Sequence, residues 1–124
     1  MISTNTTVDE MADRYDKYHF DDLVDWDWDD RKNDKNIEKH GIDFQDLPSV
    51  ISNPILVARD DRKDYGEIRW QAIGKINAVT IAFVFTEREP NVVRIISARK
   101  ASKNERITYE ESIQDGLGSS EGND

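Results

Sequence analysis

Residues 79–100, which read VTIAFVFTEREPNVVRIISARK, decide the fold of this chain. The run from Val79 to Phe85 is apolar and rich in β-branched and aromatic side chains, a pattern typical of a buried strand. Glu87 to Asn91 predicts a turn, after which Val92 to Ala98 predicts a returning strand. The segment therefore predicts two paired antiparallel strands inside a sheet.

The same segment carries four cations: Arg88, Arg94, Arg99 and Lys100. A guanidinium group binds phosphate oxygens through two parallel hydrogen bonds, so a hydrophobic sheet edged with arginines suits a phosphate-rich ligand. Arg94 and Arg99 are five residues apart on one strand. This odd spacing predicts that only one of them faces the ligand.

The rest of the sequence predicts an α+β domain: an antiparallel sheet of about four strands packed against N-terminal helices and a C-terminal helix. Aspartates at helix starts, Gly41 after a helix and Asn53-Pro54 as a stop signal mark the boundaries. The predicted elements are a helix over 8–24, a short strand over 25–29, helices over 30–40 and 44–51, strands over 55–58, 67–76, 78–85 and 92–98, and a helix of about ten residues that Ser102 and Glu105 begin as a capping box.

The acidity of the chain is concentrated at its two ends. The formal charge of −9 divides into −5 for residues 1–25 (seven acids, two bases), −1 for 26–111 (sixteen acids, fifteen bases) and −3 for 112–124 (three acids). This predicts an acidic N-terminal extension, partly helical or disordered, then a central domain, then a flexible acidic tail. Residues 88–106 hold six bases and two acids, and this local charge of +4 suits a polyanionic ligand.

Composition excludes several classes of function. The chain has no cysteine, which excludes disulfides, thiolate catalysis and cysteine-ligated zinc. No stretch has the length of a membrane span and no secretion signal is recognisable, so a cytoplasmic protein without membrane association is expected. The two histidines, His19 and His40, lack the paired spacing of metal ligands, and neither a metal nor another cofactor is expected.

Five blocks of residues between 26 and 111 follow one another in the register of a known family. They are Trp28-Asp29; Lys32-Asn33 with Asn36; Lys39-His40-Gly41-Ile42 with Phe44; Gly66-Glu67 with Arg69, then Ile73-Gly74; and Phe85-Thr86-Glu87-Arg88 through Arg94-Ile95-Ile96-Ser97-Ala98-Arg99-Lys100-Ala101, with Glu105-Arg106 and Tyr109 behind. In these residues the chain resembles the BrnT-type toxins of bacterial type II toxin–antitoxin pairs.

The resemblance implies a RelE-like fold and a toxin-type endoribonuclease that needs no metal. It also implies a cognate ribbon-helix-helix antitoxin as partner, with DNA bound only through that antitoxin. In such a nuclease the 2′-OH of RNA attacks the adjacent phosphate. That reaction needs a base, an acid for the leaving oxygen and cations for the growing negative charge.

Several residues are candidates for these roles, and the assignment of base and acid stays open. Glu67 or His40 is the candidate base, and Lys39 or His40 the candidate acid. The candidate catalytic residues are His40, Glu67, Arg69 and Arg88, the candidate RNA-binding residues are Lys32, Lys39, Arg94, Arg99 and Lys100, and the candidate base-stacking residues are Trp28, Tyr65 and Trp70.

Each candidate also has a structural interpretation. Glu67 and Arg69 are two apart on a predicted strand and can form an ion pair without any catalytic role. His40 at a helix end is favoured by the helix dipole alone, and the tryptophans suit a core. The alternative function is a non-catalytic interaction module that keeps the fold and binds an antitoxin or regulator. In this alternative, the acidic N-terminal extension covers the basic face of the domain.

Overall fold

The computed structural model of the chain describes residues 14–21 and 24–121, with side chains described as far as residue 114. The fold is α+β, as predicted. Its elements are β1 (Asp16–Tyr18), β2 (Asp25–Asp27), α1 (Asp30–His40), a 3₁₀ helix (Phe44–Ser52), β3 (Ile55–Arg59), β4 (Trp70–Ile76), β5 (Val79–Arg88), β6 (Val92–Lys100) and α2 (Lys103–Glu121).

The described strands form one six-stranded sheet in the order β1-β3-β4-β5-β6-β2. All neighbours are antiparallel except β2, which runs parallel to β6. The four central strands are those predicted from the sequence, and β2 corresponds to the short strand predicted over 25–29. β1 was not predicted, so the sheet has more than the four strands expected, and the parallel pairing of β2 makes it mixed.

Within the predicted helix over 8–24, Arg14 is helical, but the prediction is wrong for residues 15–21 and 24. Asp16–Tyr18 is a strand that pairs with β3, and Phe20 follows it into the core with 2% of its surface exposed. Tyr18 and Phe20 share one side at a spacing of two, the strand period, and their rings lie 4.8 Å apart. Residues 8–13, 22 and 23 of that prediction lie outside the described part of the chain.

One face of the sheet, which we call the core face, is covered by the 3₁₀ helix, while α1 packs against β6 through Asn36. Phe44, Leu47 and Val50 of the 3₁₀ helix are fully buried, and their spacing of three matches its three residues per turn. The helix packs so closely on β4 that a Cβ at Gly74 would lie 3.3 Å from the Cβ of Val50. The core face also contains Phe83, Phe85, Val93 and Ile95.

A bulge in β6 decides which of its side chains reach each face. The register shifts between Val84 and Phe85, which leaves Ile96 as an extra residue on β6. The extra residue reverses the alternation along the strand. Arg94 and Arg99 therefore lie on the same face, although their odd spacing had predicted opposite faces.

Helix α2 crosses the other face of the sheet. The predicted capping box is confirmed, since the Glu105 amide donates to Ser102 Oγ (3.2 Å) and the Ser102 amide donates to Glu105 Oε1 (2.8 Å). Tyr109 is buried against Leu56 and Ile73. The helix continues to Glu121, beyond the ten or so residues predicted and into the predicted flexible tail.

Every helix of the described ranges is too short or too polar to cross a bilayer.

Candidate functional site

The face of the sheet opposite the core face carries most of the predicted site residues, and we call it the charged face. Arg69 directly precedes β4 and continues its alternation, so it points to the same side as Gln71. Strand pairing then gives three rows across the sheet, about 7 Å apart. The rows are Arg69, Thr86 and Arg94; Gln71, Val84 and Ser97; and Ile73, Ala82 and Arg99.

Three of the predicted catalytic residues contact one another at one end of this face. Arg69 Nε donates to Glu67 Oε2 at 3.0 Å, and Arg88 donates to Glu67 Oε1 at 3.3 Å. The Arg69 guanidinium also lies 4.4 Å from the centre of the Tyr65 ring. The cluster therefore presents two guanidinium groups held by one carboxylate, a geometry suited to a phosphate.

The carboxylate of Glu67 is better suited to orienting these arginines than to accepting a proton. The hydrogen bond from Arg69 lowers the pKa of Glu67, and the Arg88 charge adds to the effect. A lowered pKa makes a carboxylate a weaker base. Among the two candidate bases, the surroundings therefore favour His40.

His40 lies in a second cluster, around a cavity of about 360 Å³ on the charged face. The floor of the cavity is the second row of the sheet together with Ala82. The walls are His40 and Lys39 from the end of α1, Arg99 from β6, Glu105 from α2, Arg62 from the β3–β4 loop, and Tyr15 from the segment before β1.

Two buried asparagines of α1 hold its end beside the sheet. Asn36 Nδ2 donates to the Ile42 carbonyl (2.9 Å), and its Oδ1 accepts from the Ala98 amide of β6 (3.1 Å). Asn33 accepts from the Phe44 amide at 2.8 Å. Gly41, with φ of 71°, then ends the helix in the left-handed conformation that glycine tolerates. These contacts fix where Lys39 and His40 enter the cavity.

Two ion pairs form part of the cavity wall. Arg99 donates to both carboxylate oxygens of Glu105, at 2.7 and 3.0 Å, and Arg62 donates to both oxygens of Asp60, at 2.7 and 2.8 Å. The Asp60 side chain is 1% exposed, which anchors Arg62 firmly. Burial raises the pKa of Glu105, but the hydrogen bonds from Arg99 and Ser102 outweigh it and the pKa is lowered overall.

The other predicted RNA-binding residues lie outside the two clusters. Arg94 is on the charged face and forms an ion pair with Asp27 of β2. Lys32 is exposed near the start of α1 and does not line the cavity. Lys100 pairs with Ile81, a core-face residue, so it points away from the charged face.

The two tryptophans proposed as stacking residues pack against the main core. Tyr65 stacks on Arg69 instead of presenting an open ring. Three residues of the cavity were not predicted from the sequence: Tyr15, Arg62 and Gln71. The Tyr18–Phe20 alternation was the available signal for β1, and hence for Tyr15, but no local pattern marks Arg62 or Gln71 as cavity residues.

Comparison with known proteins agrees with the resemblance seen in the sequence. A sequence model described as the ribonuclease toxin BrnT of type II toxin–antitoxin systems matches residues 28–105, more than half of the chain. The chain belongs to the BrnT family. No curated protein matches it.

A solved structure supports the family assignment. The crystal structure of the Brucella abortus ribonuclease toxin BrnT is 31% identical to this chain and superimposes with a TM-score of 0.50. The match covers 65% of this chain and 100% of the Brucella chain. The segment that supplies β1, β2 and Tyr15 precedes the residues that match the BrnT family model.

Proposed function

We propose that this chain is a cytoplasmic, metal-independent endoribonuclease that cleaves single-stranded RNA by attack of the 2′-OH on the adjacent phosphate. One observation carries the proposal. Cations from four separate parts of the BrnT-family chain share one sheet face with a histidine, beside the part of that face that α2 covers. Arginine fixes phosphate groups, and a histidine can move protons near neutral pH.

The roles we assign follow from the two clusters. Arg69 and Arg88, held by Glu67, bind the RNA backbone at one end of the charged face. His40 takes the proton of the 2′-OH as the base. Lys39 gives a proton to the leaving 5′-oxygen as the acid and offsets charge on the phosphate.

The reaction makes a specific prediction about products. Attack by the 2′-oxygen breaks the bond from phosphorus to the 5′-oxygen and leaves a 2′,3′-cyclic phosphate and a 5′-OH. Purified protein should therefore cut a labelled single-stranded RNA to products with these ends, with equal rates in the presence and absence of EDTA. A single 2′-deoxy nucleotide at the cleaved position should abolish the cut there. Cleavage of the deoxy position, or loss of activity with EDTA, would contradict the proposed mechanism.

We also propose that a cognate antitoxin neutralises the toxin by covering the charged face. The matching family model is that of a ribonuclease toxin of type II toxin–antitoxin systems, which supports an antitoxin as the partner. We infer a ribbon-helix-helix antitoxin with an acidic contact surface, and DNA binding only through that partner. Expression of the chain alone should arrest growth, and co-expression with the neighbouring small gene should restore it. Growth arrest that persists with every neighbouring gene would count against this arrangement.

A second candidate is a non-catalytic module that keeps the fold and binds an antitoxin or regulator. It is favoured by the carboxylates on the charged face: Glu67, Asp27, Asp60 and Glu105 each engage an arginine, and the net charge of the chain is −9. Binding of the antitoxin by a protein that leaves every RNA intact would support the module and exclude the nuclease.

A further inference from the structure

We propose that the cavity on the charged face is a nucleobase-binding subsite, with Tyr15 as the wall on which the base stacks. The proposal rests on the RNA-cleaving function proposed above and identifies what the substrate must offer: an unpaired base next to the bound phosphate. Tyr15 precedes the residues 28–105 that match the BrnT family, so the subsite depends on a segment outside that match.

The size of the cavity fits one nucleotide. Its volume of about 360 Å³ is near the lower end of the range of roughly 300–1,000 Å³ found for ligand sites. An RNA duplex would need a longer and flatter surface. Single-stranded RNA, in contrast, can turn one base out into a pocket of this size.

Tyr15 is held with one side against the protein and one side toward the cavity. It packs on the small core formed by Leu56, Ile73 and Tyr109, and it is half-buried. β1, which begins at the next residue, fixes its position by pairing with β3. Burial and the charge of Glu105 raise the pKa of Tyr15, so its ring stays uncharged at neutral pH. A rigid, neutral aromatic wall can stack on any base.

The floor of the cavity supplies polar groups for the edge of the base. Gln71 lines the cavity, and its Oε1 accepts a hydrogen bond from Arg14 at 3.2 Å, so its amide NH₂ is the group that can donate to a ligand. Ser97 adds a hydroxyl group on the neighbouring strand. A donor on this floor favours a base that presents a carbonyl oxygen or a ring nitrogen.

The cavity lies close enough to Arg69 for one nucleotide to contact both. Gln71 lies two residues after Arg69 on the same side of β4, which places it about 7 Å away along the strand. A nucleotide whose phosphate lies on Arg69 can therefore place its own base, or that of its neighbour, in the cavity. Arg62, Arg99 and Lys39 surround the opening and attract the backbone.

The test compares ligands that differ only in the base. Binding of uridine 5′-monophosphate and adenosine 5′-monophosphate to the full chain is measured by calorimetry, with ribose 5-phosphate as the base-less reference. Stacking should make at least one nucleotide bind about tenfold or more tightly than ribose 5-phosphate. Tyr15→Leu should remove this difference and Tyr15→Phe should keep it.

Ile113→Ala is the matched control, because Ile113 packs on the same small core as Tyr15 but does not line the cavity. It should lower stability and leave the preference for a base intact. Equal binding of all three ligands to the wild-type chain, no binding of any, or a preference that survives in Tyr15→Leu would overturn the proposal. Cleavage of RNA without any base preference would reject the subsite alone, and base-dependent binding without cleavage would reject the nuclease alone.

Discussion

The core face and the charged face are built from alternate residues of the same strands, but they obey different constraints. On the core face, Phe83 and Phe85 are buried beneath the 3₁₀ helix and nearby aromatic rings. On the charged face, Thr86 lies between Arg69 and Arg94, and each of these arginines is paired with a carboxylate. The comparison shows that apolar packing holds the core face, whereas the charged face combines a small apolar core under α2 with pairs of opposite charge. Substitutions on the two faces should therefore affect different properties.

The largest effect on stability is expected from Phe83→Ala on the core face. Removing a fully buried aromatic side chain leaves a cavity and should cost about 3–5 kcal/mol of unfolding free energy. Denaturant unfolding measures the loss. Val84→Ala, one residue further on and half-buried on the charged face, should cost less than about half as much. Equal losses for the two variants would mean that the faces do not differ as described.

Arg69→Ala should have the largest effect on activity without unfolding the protein. If Arg69 stabilises the charge that develops on phosphate, its loss should lower kcat/KM for RNA by about 10²–10³-fold. Arg59→Ala is the matched control, because Arg59 pairs with Trp70 and points to the core-face side. Initial cleavage rates give kcat/KM for both variants. A similar decrease in the two would show that the charged face has no particular role in cleavage.

Glu105→Ala should destabilise the start of α2 by about 1–2 kcal/mol, because it removes half of the capping box and the partner of Arg99. The pKa of Glu105 is lowered in the folded state, so its contribution is fully present above the ordinary glutamate pKa. The contribution is lost as pH falls through the lower folded value. The unfolding free energy, measured from pH 6 downward, should therefore fall less steeply with pH for the variant than for the wild type. Parallel decreases in the two proteins would contradict this.

Tyr109→Phe should cost about 1 kcal/mol, the smallest of these effects. The Tyr109 hydroxyl donates to the Pro54 carbonyl at 2.7 Å, and burial raises its pKa to about 12. Because the unfolded tyrosine ionises near pH 10, this group makes the wild type lose stability as pH rises from about 10 to 12. The melting temperature should fall less across that pH range in Tyr109→Phe than in the wild type. An equal fall in both proteins would show that the hydroxyl is solvated.

The sequence predicted the core face well because local signals determine it. The run from Val79 to Phe85 predicted a buried strand, and Gly41 and Ser102 marked helix boundaries that the structure confirms. The predicted helix failed over residues 16–20 because a weak helical spacing competed with the Tyr18–Phe20 alternation, and pairing with β3 decided the outcome.

The charged face was only partly predictable, because its arrangement depends on contacts between distant residues. The bulge at Ile96 places Arg94 and Arg99 on one face, and no pattern in the sequence of β6 predicts this bulge. The cavity joins residues from 15 to 105, so its composition became visible only in three dimensions. Glu67, Arg69 and Arg88 were grouped from the family resemblance, and their contacts support that grouping.

The central claim, that the charged face is the RNA-binding surface, is tested most directly by the salt dependence of RNA affinity. A 2′-O-methyl oligonucleotide, which cannot be cleaved, is titrated with wild type and variants between 50 and 200 mM salt. Arg69→Ala and Arg94→Ala should each reduce the slope of log Kd against log salt by about 0.7, the loss of one phosphate contact on a single strand. Arg59→Ala and Lys100→Ala, on the other side of the sheet, should leave the slope unchanged. Equal slope changes from both faces, or none from either, would contradict the account.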